Sequence, residues 1–339
     1  MSIRDVAKRA KVSIATVSRA MNNPATVDPE TADRVRRAAD ELSYFPDSHA
    51  RSLVSGRSRI LGLIVSDITN PFFPELVKGF EEMALRHGYE IMVGSTNYNS
   101  VRMALCVRRL MERKVEGVAI MTSEMDQPLV DQLVRRRIPS VFLDVGSVRA
   151  FISNIQVDYA SGIHQATSHL LQLGHSRIGF ISGPLALKSA RIRRQAFLEC
   201  LRNAGVLETE ELVTESDHTI DGGLEAMARL LDRSARPTAI LASNDLTAIG
   251  AMRAVRRKGL AVPEDLSIIG FDDIHFAAFT EPPLTTVALS RWELAETAIH
   301  ALMRHVELKK SEQAIRGAEY KITPVLVIRE STAPPAQRT

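Results

Sequence analysis

Residues 3–22 read IRDVAKRAKVSIATVSRAMN, and this stretch predicts two short helices joined by a tight turn. Ser2 and Asp5 form the capping-box pattern that starts a helix. Ser13 is well placed to cap a second helix shortly after the first one ends. Apolar residues recur at helical spacing, so the two helices are expected to pack together through Ile3, Val6, Ala7, Ala10, Val12 and Val17.

The remaining residues of the second helix face outward in this arrangement: Ser13, Ile14, Ala15, Thr16, Ser18 and Arg19. A helix of this kind can enter the major groove of DNA. There Ile14 and Ala15 can contact thymine methyl groups, and Arg19 can pair with guanine O6 and N7. Thr16 and Ser18 are suited to holding phosphates. The alternative is a helical hairpin that only packs on the rest of the chain.

A third helix is predicted to begin at Asp28-Pro29, because Asp is a good cap and Pro suits the first helical position. Pro46 ends this unit, so residues 1–45 predict an all-α helix-turn-helix domain. The segment 46–59 could hold only a two-turn helix, which is too short to be stable alone in water. It is either ordered by binding partners or an ordinary linker with an incidental Leu53.

The positive charge of the chain is concentrated at its N-terminus. Residues 1–59 hold 11 Lys and Arg against 7 Asp and Glu, a net charge of +4. Because the whole chain holds 43 and 40, residues 60–339 hold 32 against 33, a net charge of −1. A small basic domain joined to a nearly neutral larger one is the distribution expected when the small domain meets nucleic-acid phosphates.

From Ile60 onward, short apolar runs separated by helical stretches predict a mostly parallel sheet covered by helices. Arg59–Ile64 is echoed by Arg177–Ile181, so residues 60–330 predict two similar α/β lobes with a ligand cleft between them. Residues 331–339, with Pro334-Pro335, are predicted to be disordered. The predicted strands are Leu61–Val65, Tyr89–Val93, Gly117–Met121, Ser140–Leu143, Ile178–Ile181, Ala239–Ala242 and Ser267–Phe271.

The composition excludes several classes of protein. A chain of 339 residues with 45% hydrophobic content can bury a large core. Its apolar runs stay below the ~18 residues that span a bilayer, and Met1–Asp5 lacks an apolar signal stretch, so a cytoplasmic location is expected. Cys106 and Cys200 are expected to be reduced thiols, and neither a metal nor a cofactor is expected.

Residues 3–22 resemble the DNA-binding headpiece of the lactose/galactose-repressor family. The resemblance continues through Ala50-Arg51-Ser52-Leu53 to about residue 330. It implies a DNA-binding transcription regulator, a repressor in function, with a two-lobed periplasmic-binding-protein-like sensor. It also implies that residues 46–56 form a hinge helix and that two such helices pair on pseudo-palindromic operator DNA. Arg51 and Leu53 would contact the DNA, with Leu53 inserted into a base step from the minor groove. A homodimer is expected, since no heptad-bearing tail follows the sensor.

The same resemblance implies that five sensor residues contact a small-molecule effector: Phe72, Asp144, Arg193, Asn244 and Asp272. Phe72 is suited to stacking on a ring or an apolar sugar face. The two carboxylates, the amide and the guanidinium offer many directed hydrogen bonds to a polyol. The expected effector is therefore a sugar or a sugar derivative.

Plain structural roles remain open for these residues. Asp245 or Asp272 could cap a helix, and Arg193 could be a solvated charge. Leu187 stands where the purine-responsive branch of the family carries a basic residue, which disfavours a nucleobase effector. Leu187 and His218 are expected to shape specificity, and a purine-responsive repressor remains the alternative within the family.

Two other classes of protein compete with this interpretation. An enzyme could use Asp272-Asp273 as an acid/base pair, but adjacent residues on a strand point to opposite faces, so no enzymatic activity is expected. His175 begins a strand without other candidate catalytic residues nearby, and a structural role is expected for it. A soluble carbohydrate receptor would share the two-lobed fold, but the headpiece and the lack of an export signal argue against it.

Overall fold

A computed structural model describes residues 1–45, 56–122, 125–144, 148–206, 210–308 and 316–336. The chain divides into two compact units, Met1–Arg59 and Ile60–Thr339. None of the helices in these described ranges is long and apolar enough to cross a membrane.

Residues 1–45 of the first unit fold into a headpiece of three α-helices, α1 (Ile3–Ala10), α2 (Ile14–Asn22) and α3 (Pro29–Glu41). The Asp5 carboxylate accepts hydrogen bonds from the Ser2 amide and hydroxyl, at 2.8 and 2.9 Å, which fixes the start of α1. Lys11 adopts a left-handed backbone conformation with φ +53°, and this turns the chain from α1 into α2. Val6, Val17 and Val35 are fully buried and join the three helices in one core.

The second unit has two lobes, each built on a six-stranded sheet with strands in the order 11-5-4-3-1-2 in the N lobe and 12-10-9-8-6-7 in the C lobe. All neighbouring strands are parallel except β10 and β12. The strands are β1 (Ile60–Val65), β2 (Glu90–Ser95), β3 (Gly117–Met121), β4 (Ser140–Leu143), β5 (Ile152–Val157), β6 (Ile178–Ser182), β7 (Val213–Glu215), β8 (Ala239–Ala242), β9 (Ser267–Asp272), β10 (Thr285–Ala288), β11 (Glu319–Ile322) and β12 (Val325–Val327).

Helices cover both faces of each sheet, which explains why the central strands are continuous apolar runs. The N lobe carries α4 (Phe72–Arg86), α5 (Ser100–Glu112), α6 (Gln127–Arg135) and α11 (Arg291–Leu308). The C lobe carries α7 (Tyr159–Gln172), α8 (Lys188–Asn203), α9 (Ile220–Leu231) and α10 (Asp245–Arg257).

The chain passes between the lobes three times, after β5, after β10 and after β11. The second passage delivers α11 from the C lobe onto the N lobe, where it packs against α4. A side chain at Gly79 of α4 would have its Cβ only 3.3 Å from Ala295 Cβ, so glycine permits this close approach. Three segments of the chain therefore join the two lobes.

The predicted disorder after Ser331 is wrong for residues 331–336, which lie against the C lobe. Ser331 is fully buried, and its hydroxyl accepts a hydrogen bond from the Thr285 amide at 2.8 Å and donates to the Ile268 carbonyl. A buried hydroxyl with both partners satisfied outweighs the turn-forming tendency of the two prolines. Residues 337–339 lie outside the described residues.

His175 holds the same C-terminal segment in place. Its Nε2 lies 2.9 Å from the Ala333 carbonyl and 3.2 Å from Ser267 Oγ, and its Nδ1 lies 3.0 Å from Thr238 Oγ1. Burial lowers the pKa of His175 below its ordinary value, so the ring is neutral in the folded protein at neutral pH. The role of this histidine is structural.

Candidate functional site

The surface of α2 presents the residues that the sequence places outward. Ser13, Ile14, Ala15 and Arg19 are exposed, whereas Val17 and Ala20 are buried in the headpiece core; Thr16 and Ser18 lie between these extremes. Ile14 is 45% exposed although it is a large aliphatic residue. An exposed apolar side chain at the start of a surface helix is suited to contact with an apolar partner group.

Hydrogen bonds order the N-terminal turn of α2. Ser13 Oγ accepts from the Thr16 amide at 3.0 Å and lies 2.9 Å from the Thr16 hydroxyl. Arg19 Nε donates to the Ala15 carbonyl at 3.4 Å, so the start of its guanidinium follows the helix surface. The free amides at a helix N-terminus favour phosphate binding. The other two expected DNA contacts, Arg51 and Leu53, lie outside the described residues and stay predictions.

An inner cavity of about 70 Å³ lies between the two lobes of the second unit. Phe72, Arg193, Asn244 and Asp272 line it as the sequence predicts, but Asp144 does not. The full lining is Ser66, Asn70, Phe72, Phe73, Tyr98, Met121, Thr122, Leu143, Tyr159, Leu187, Ser189, Arg193, His218, Asn244, Asp272 and Leu289.

Arg193 is the central charged group of this cavity and is not a solvated charge, since only 7% of it is exposed. Its guanidinium carbon lies 4.1 Å from the ring centre of Phe271 and 4.7 Å from that of Tyr159. One terminal nitrogen donates to the Ser243 carbonyl. The buried Nε has no hydrogen-bond partner among the described residues. An unpaired buried donor is costly, and in folded proteins such a donor is usually satisfied by an ordered water or a bound molecule.

Asp272 supplies a carboxyl group beside Arg193. Asp272 ends β9 with φ +111°, a backbone conformation that residues other than glycine rarely adopt. It is 7% exposed. Burial raises the pKa of Asp272 to about 7, and the positive charges of Arg193 and Arg291 limit this rise. The carboxyl group therefore changes its charge near neutral pH.

Asn244 has structural partners as well as a place in the cavity. Its Oδ1 accepts from the Thr247 amide at 2.9 Å and caps α10, and its Nδ2 donates to the His218 carbonyl at 3.0 Å. The capping role that the sequence left open for Asp245 or Asp272 thus belongs to Asn244. Asp245 is instead fully buried and accepts hydrogen bonds from the Ile274 amide and the Thr286 hydroxyl.

Asp144 joins the lobes behind the cavity. Its carboxylate accepts from the Val157 amide and the Tyr159 hydroxyl, both at 2.9 Å, and its carbonyl accepts from Lys188 Nζ at 2.8 Å. These partners keep its carboxylate out of the cavity lining. Asp144 therefore orients Tyr159, and Tyr159 itself faces the cavity.

Tyr159 was missed in the sequence because β5, the strand before it, carries Ser153, Asn154 and Gln156 and lacks an apolar run. A usable signal was present, since Asp158-Tyr159 follows Val157 just as other lining residues follow their strands. Tyr159 adds an aromatic ring to a cavity wall that already includes Phe72 and Phe73 of α4 and Tyr98.

His218 separates the inner cavity from a neighbouring cavity of about 600 Å³ that it also lines. Burial and the charge of Arg193 lower the pKa of His218 to about 3, so the ring is neutral. Its Nε2 lies 3.0 Å from Ser243 Oγ. A Cβ at Gly183 would lie only 1.8 Å from His218 Nε2, so only glycine leaves room for this ring.

The adjacent acids Asp272 and Asp273 do not share a site. Asp273 Oδ1 forms an ion pair with Arg329 at 2.6 Å, whereas Asp272 lines the cavity. Within the described part of the chain, no three metal-ligating side chains come together. Cys106 and Cys200 are both free thiols.

Two family models match the chain. Residues 2–47 match the model described as bacterial regulatory proteins, lacI family, and residues 167–332 match the periplasmic binding protein-like domain. The transcriptional repressor CytR of Escherichia coli strain K12 is 33% identical over 98% of this chain and 96% of its own length. The transcriptional repressor PurR of Photobacterium profundum is 34% identical over 97% of this chain and 98% of its own length.

Solved structures agree with these matches. The lac repressor dimer bound to operator and the anti-inducer ONPF superposes with a TM-score of 0.83 at 28% identity, over 98% of this chain and 99% of that one. A LacI family regulator from Enterococcus faecium with bound ribose gives a TM-score of 0.72 at 28% identity, over 81% of this chain and 99% of that one.

Proposed function

The chain belongs to the lacI family of bacterial regulatory proteins, and from this premise we propose that it is a homodimeric repressor whose affinity for a pseudo-palindromic operator is set by a sugar-like effector. The headpiece would supply the DNA contacts and the inner cavity would supply the effector contacts. The observation that carries the effector assignment is that Phe72, Arg193, Asn244 and Asp272 converge on one cavity between the lobes.

The exposed face of α2 supports the DNA-binding part of the proposal. Ser13, Ile14 and Ala15 stand at the start of the helix, where a recognition helix contacts base edges. In this proposal Thr16 and Ser18 hold phosphates, and Arg19 pairs with guanine. Arg51 and Leu53 are proposed to contact the centre of the operator, in keeping with the family resemblance.

The homodimer is supported by similarity to the lac repressor dimer and by exposed apolar side chains on β2 and α5. Val93 is 41% exposed, Val101 76% and Leu105 42%. Such side chains mark surfaces that pair with another protein. Two headpieces on one dimer would read two half-sites related by a two-fold axis.

A sugar-like effector fits the chemistry of the inner cavity. The Asp272 carboxylate can accept two hydroxyl hydrogens, while the Arg193 guanidinium can donate to a third oxygen. Phe72 and Tyr159 offer aromatic surfaces to the apolar face of a sugar ring. A concave site that places a few directed polar groups on a mostly apolar wall is the usual design for such ligands.

A purine effector is the second candidate, because PurR is a relative of the chain at 34% identity. Leu187 argues against it: the side chain lines the cavity, is 7% exposed and offers no hydrogen bond to a purine edge. A ligand screen for the effector should therefore include hypoxanthine beside D-ribose and cellobiose.

We expect D-ribose to raise the melting temperature of the full-length protein and hypoxanthine to leave it unchanged. A ligand at about 100 times its Kd stabilises the folded state by about 2.7 kcal/mol. Arg193→Ala and Asp272→Ala should each remove much of the shift, because each leaves a ligand group without its partner, at a cost of about 1–3 kcal/mol. Arg202→Ala, an exposed change on the same helix α8, is the control. A shift that survives both cavity variants would place the effector elsewhere.

The pH dependence of the same shift tests the role of Asp272. Burial raises its pKa to about 7, and the groups facing it are Arg193, Arg291, Asp245 and Tyr159. The ionised carboxylate can accept hydroxyl hydrogens on both oxygens, whereas protonation turns one of these oxygens into a donor. Affinity for D-ribose should therefore be full above about pH 7 and decline as the pH falls through that value. Affinity that stays constant from roughly one pH unit above that value to roughly one unit below it would contradict the assignment.

A further inference from the structure

Four consecutive residues, the last residue of β9 and the first three of the loop that follows it, are each held by a hydrogen bond or an ion pair. The Asp272 carbonyl accepts from Arg291, and the Asp273 carboxylate pairs with Arg329. The Ile274 amide donates to Asp245, and the His275 amide donates to Glu75. Asp272 and Asp273 have positive φ values of 111° and 55°. Two successive strained residues persist only where their surroundings fix them.

Two of these contacts come from one ion pair on the N lobe, although the loop belongs to the C lobe. Arg291 Nε lies 2.8 Å from Glu75 Oε2, with side-chain exposures of 20% and 31%. A terminal nitrogen of Arg291 donates to the Asp272 carbonyl at 2.8 Å. Glu75 Oε1 accepts from the His275 amide at 3.1 Å.

The helices that carry the pair are packed tightly together. Glu75 lies in the first turn of α4, and Arg291 is the first residue of α11, just after the second passage between the lobes. The short distance between Gly79 and Ala295 brings these helices together. Arg86 of α4 lies 5.6 Å from the centre of the Trp292 ring and adds a second contact. The pair thus stands on a rigid base.

We propose that the Glu75–Arg291 ion pair is a positioning element for effector binding, which holds the Asp272 loop of the C lobe against the N lobe. The inference rests on the proposed function, because Asp272 matters here as an effector contact. One of its two backbone contacts lies within the strained Asp272-Asp273 pair and the other lies two residues after it. Neither Glu75 nor Arg291 lines the inner cavity, so both act through Asp272.

The pair also couples effector affinity to lobe geometry. If the lobes move apart, the Arg291 and Glu75 contacts to the loop break together, since both side chains belong to the N lobe. The strained backbone at Asp272 then keeps only the C-lobe contacts of its neighbours Asp273 and Ile274. Effector binding and the closed arrangement of the lobes therefore favour each other through this pair.

Hydrogen exchange in the ligand-free, full-length protein tests the inference directly. Glu75→Ala should speed exchange of the His275 amide about tenfold, because the amide loses its acceptor and the loop its anchor. Glu81→Ala, an exposed change on the same helix, is the matched control and should leave the rate unchanged. Equal rates in the two variants would overturn the proposal.

A charge swap separates positioning from simple ion pairing. Glu75→Arg combined with Arg291→Glu restores the mutual attraction, but residue 291 can no longer donate to the Asp272 carbonyl and residue 75 can no longer accept from the His275 amide. We expect exchange at the His275 amide to stay as fast in the swap as in Glu75→Ala. Exchange should be slower in Arg291→Lys, which keeps Glu75 and a donor at residue 291. Recovery in the swap would show a general structural ion pair and overturn the proposal.

A ligand measurement with D-ribose distinguishes failure of this inference from failure of the proposed function. Where D-ribose stabilises the wild type, Glu75→Ala should weaken its Kd about tenfold, while Glu81→Ala should not. Unchanged affinity in Glu75→Ala, with binding still lost in Asp272→Ala, would overturn this inference alone. If D-ribose leaves the wild type unaffected, its assignment as effector fails, and the exchange rates at His275 still decide the role of the pair.

Discussion

Arg19 and Arg193 carry the same functional group in opposite surroundings. Arg19 is exposed on α2, where its guanidinium is free to meet an incoming base or phosphate, whereas Arg193 is buried against two aromatic rings. A buried guanidinium has a fixed direction, which suits recognition of one small molecule. An exposed one can reach its partner only when another surface approaches.

Arg19→Ala is expected to relax the base preference at one pair in each half-site and to cost about 1–3 kcal/mol. The reason is that a bidentate contact to guanine is lost while the rest of α2 keeps its packing. Gel-shift titrations on operators with single base changes would measure this effect, with Arg36→Ala on α3 as the control. A uniform loss on every DNA, with a shallower salt dependence, would show a phosphate contact instead.

Single residues of the cavity were predictable where a polar or aromatic residue follows a clear apolar strand. Asp272 comes at the end of such a strand and does line the cavity. Arg193 also lines the cavity, but it lies within the helix α8. Asp144 also follows such a strand, but its carboxylate accepts hydrogen bonds from Val157 and Tyr159. The sequence around Asp144 does not indicate these two partners, because they lie farther along the chain. The free Nε of Arg193 could not be predicted, because it depends on the exact placement of Ser243 in another element.

At the scale of elements, the C-terminal segment is part of the C lobe. Ser331→Ala should lower the free energy of unfolding by about 1–3 kcal/mol, because the Thr285 amide and the Ile268 carbonyl each lose a buried partner. Urea unfolding would measure the loss. Ala336→Ser, an exposed change in the same segment, should have no effect. A loss below the error of that measurement would mean that the segment only rests on the lobe.

All seven strands predicted from the sequence are present, and five others were missed. The predicted strands lie in apolar runs, because helices cover both faces of the sheets. The missed strand β7 has only three residues, and β11 and β12 lie at sheet edges with exposed positions. Such edge strands are defined by pairing with distant segments, as β11 is with β5, and local sequence carries little of that information.

At the scale of the whole molecule, the resemblance to the family assigns Leu53 to the meeting point of two hinges on the operator. Leu53→Ala should weaken specific binding and reduce DNA bending, because an inserted leucine unstacks a base step. Non-specific binding and effector affinity should stay nearly unchanged. A circular-permutation gel assay at matched occupancy measures the bend, with Val54→Ala as the control. Equal bending by Leu53→Ala and the wild type would leave residues 46–56 as a tether.

The three passages of the chain between the lobes limit how such regulators can be recombined. The N lobe is assembled from residues 60–157, 291–308 and 319–322, and the C lobe from the pieces between and after them. If two such regulators are joined at one point inside the second unit, the lobes of the chimaera combine segments from both parents. The walls of its cleft then also come from both parents. The headpiece is one contiguous piece, so a single junction before Ile60 is enough to transplant it. New operator specificity can thus be gained by one genetic exchange, whereas a new effector cleft has to be changed residue by residue or taken whole.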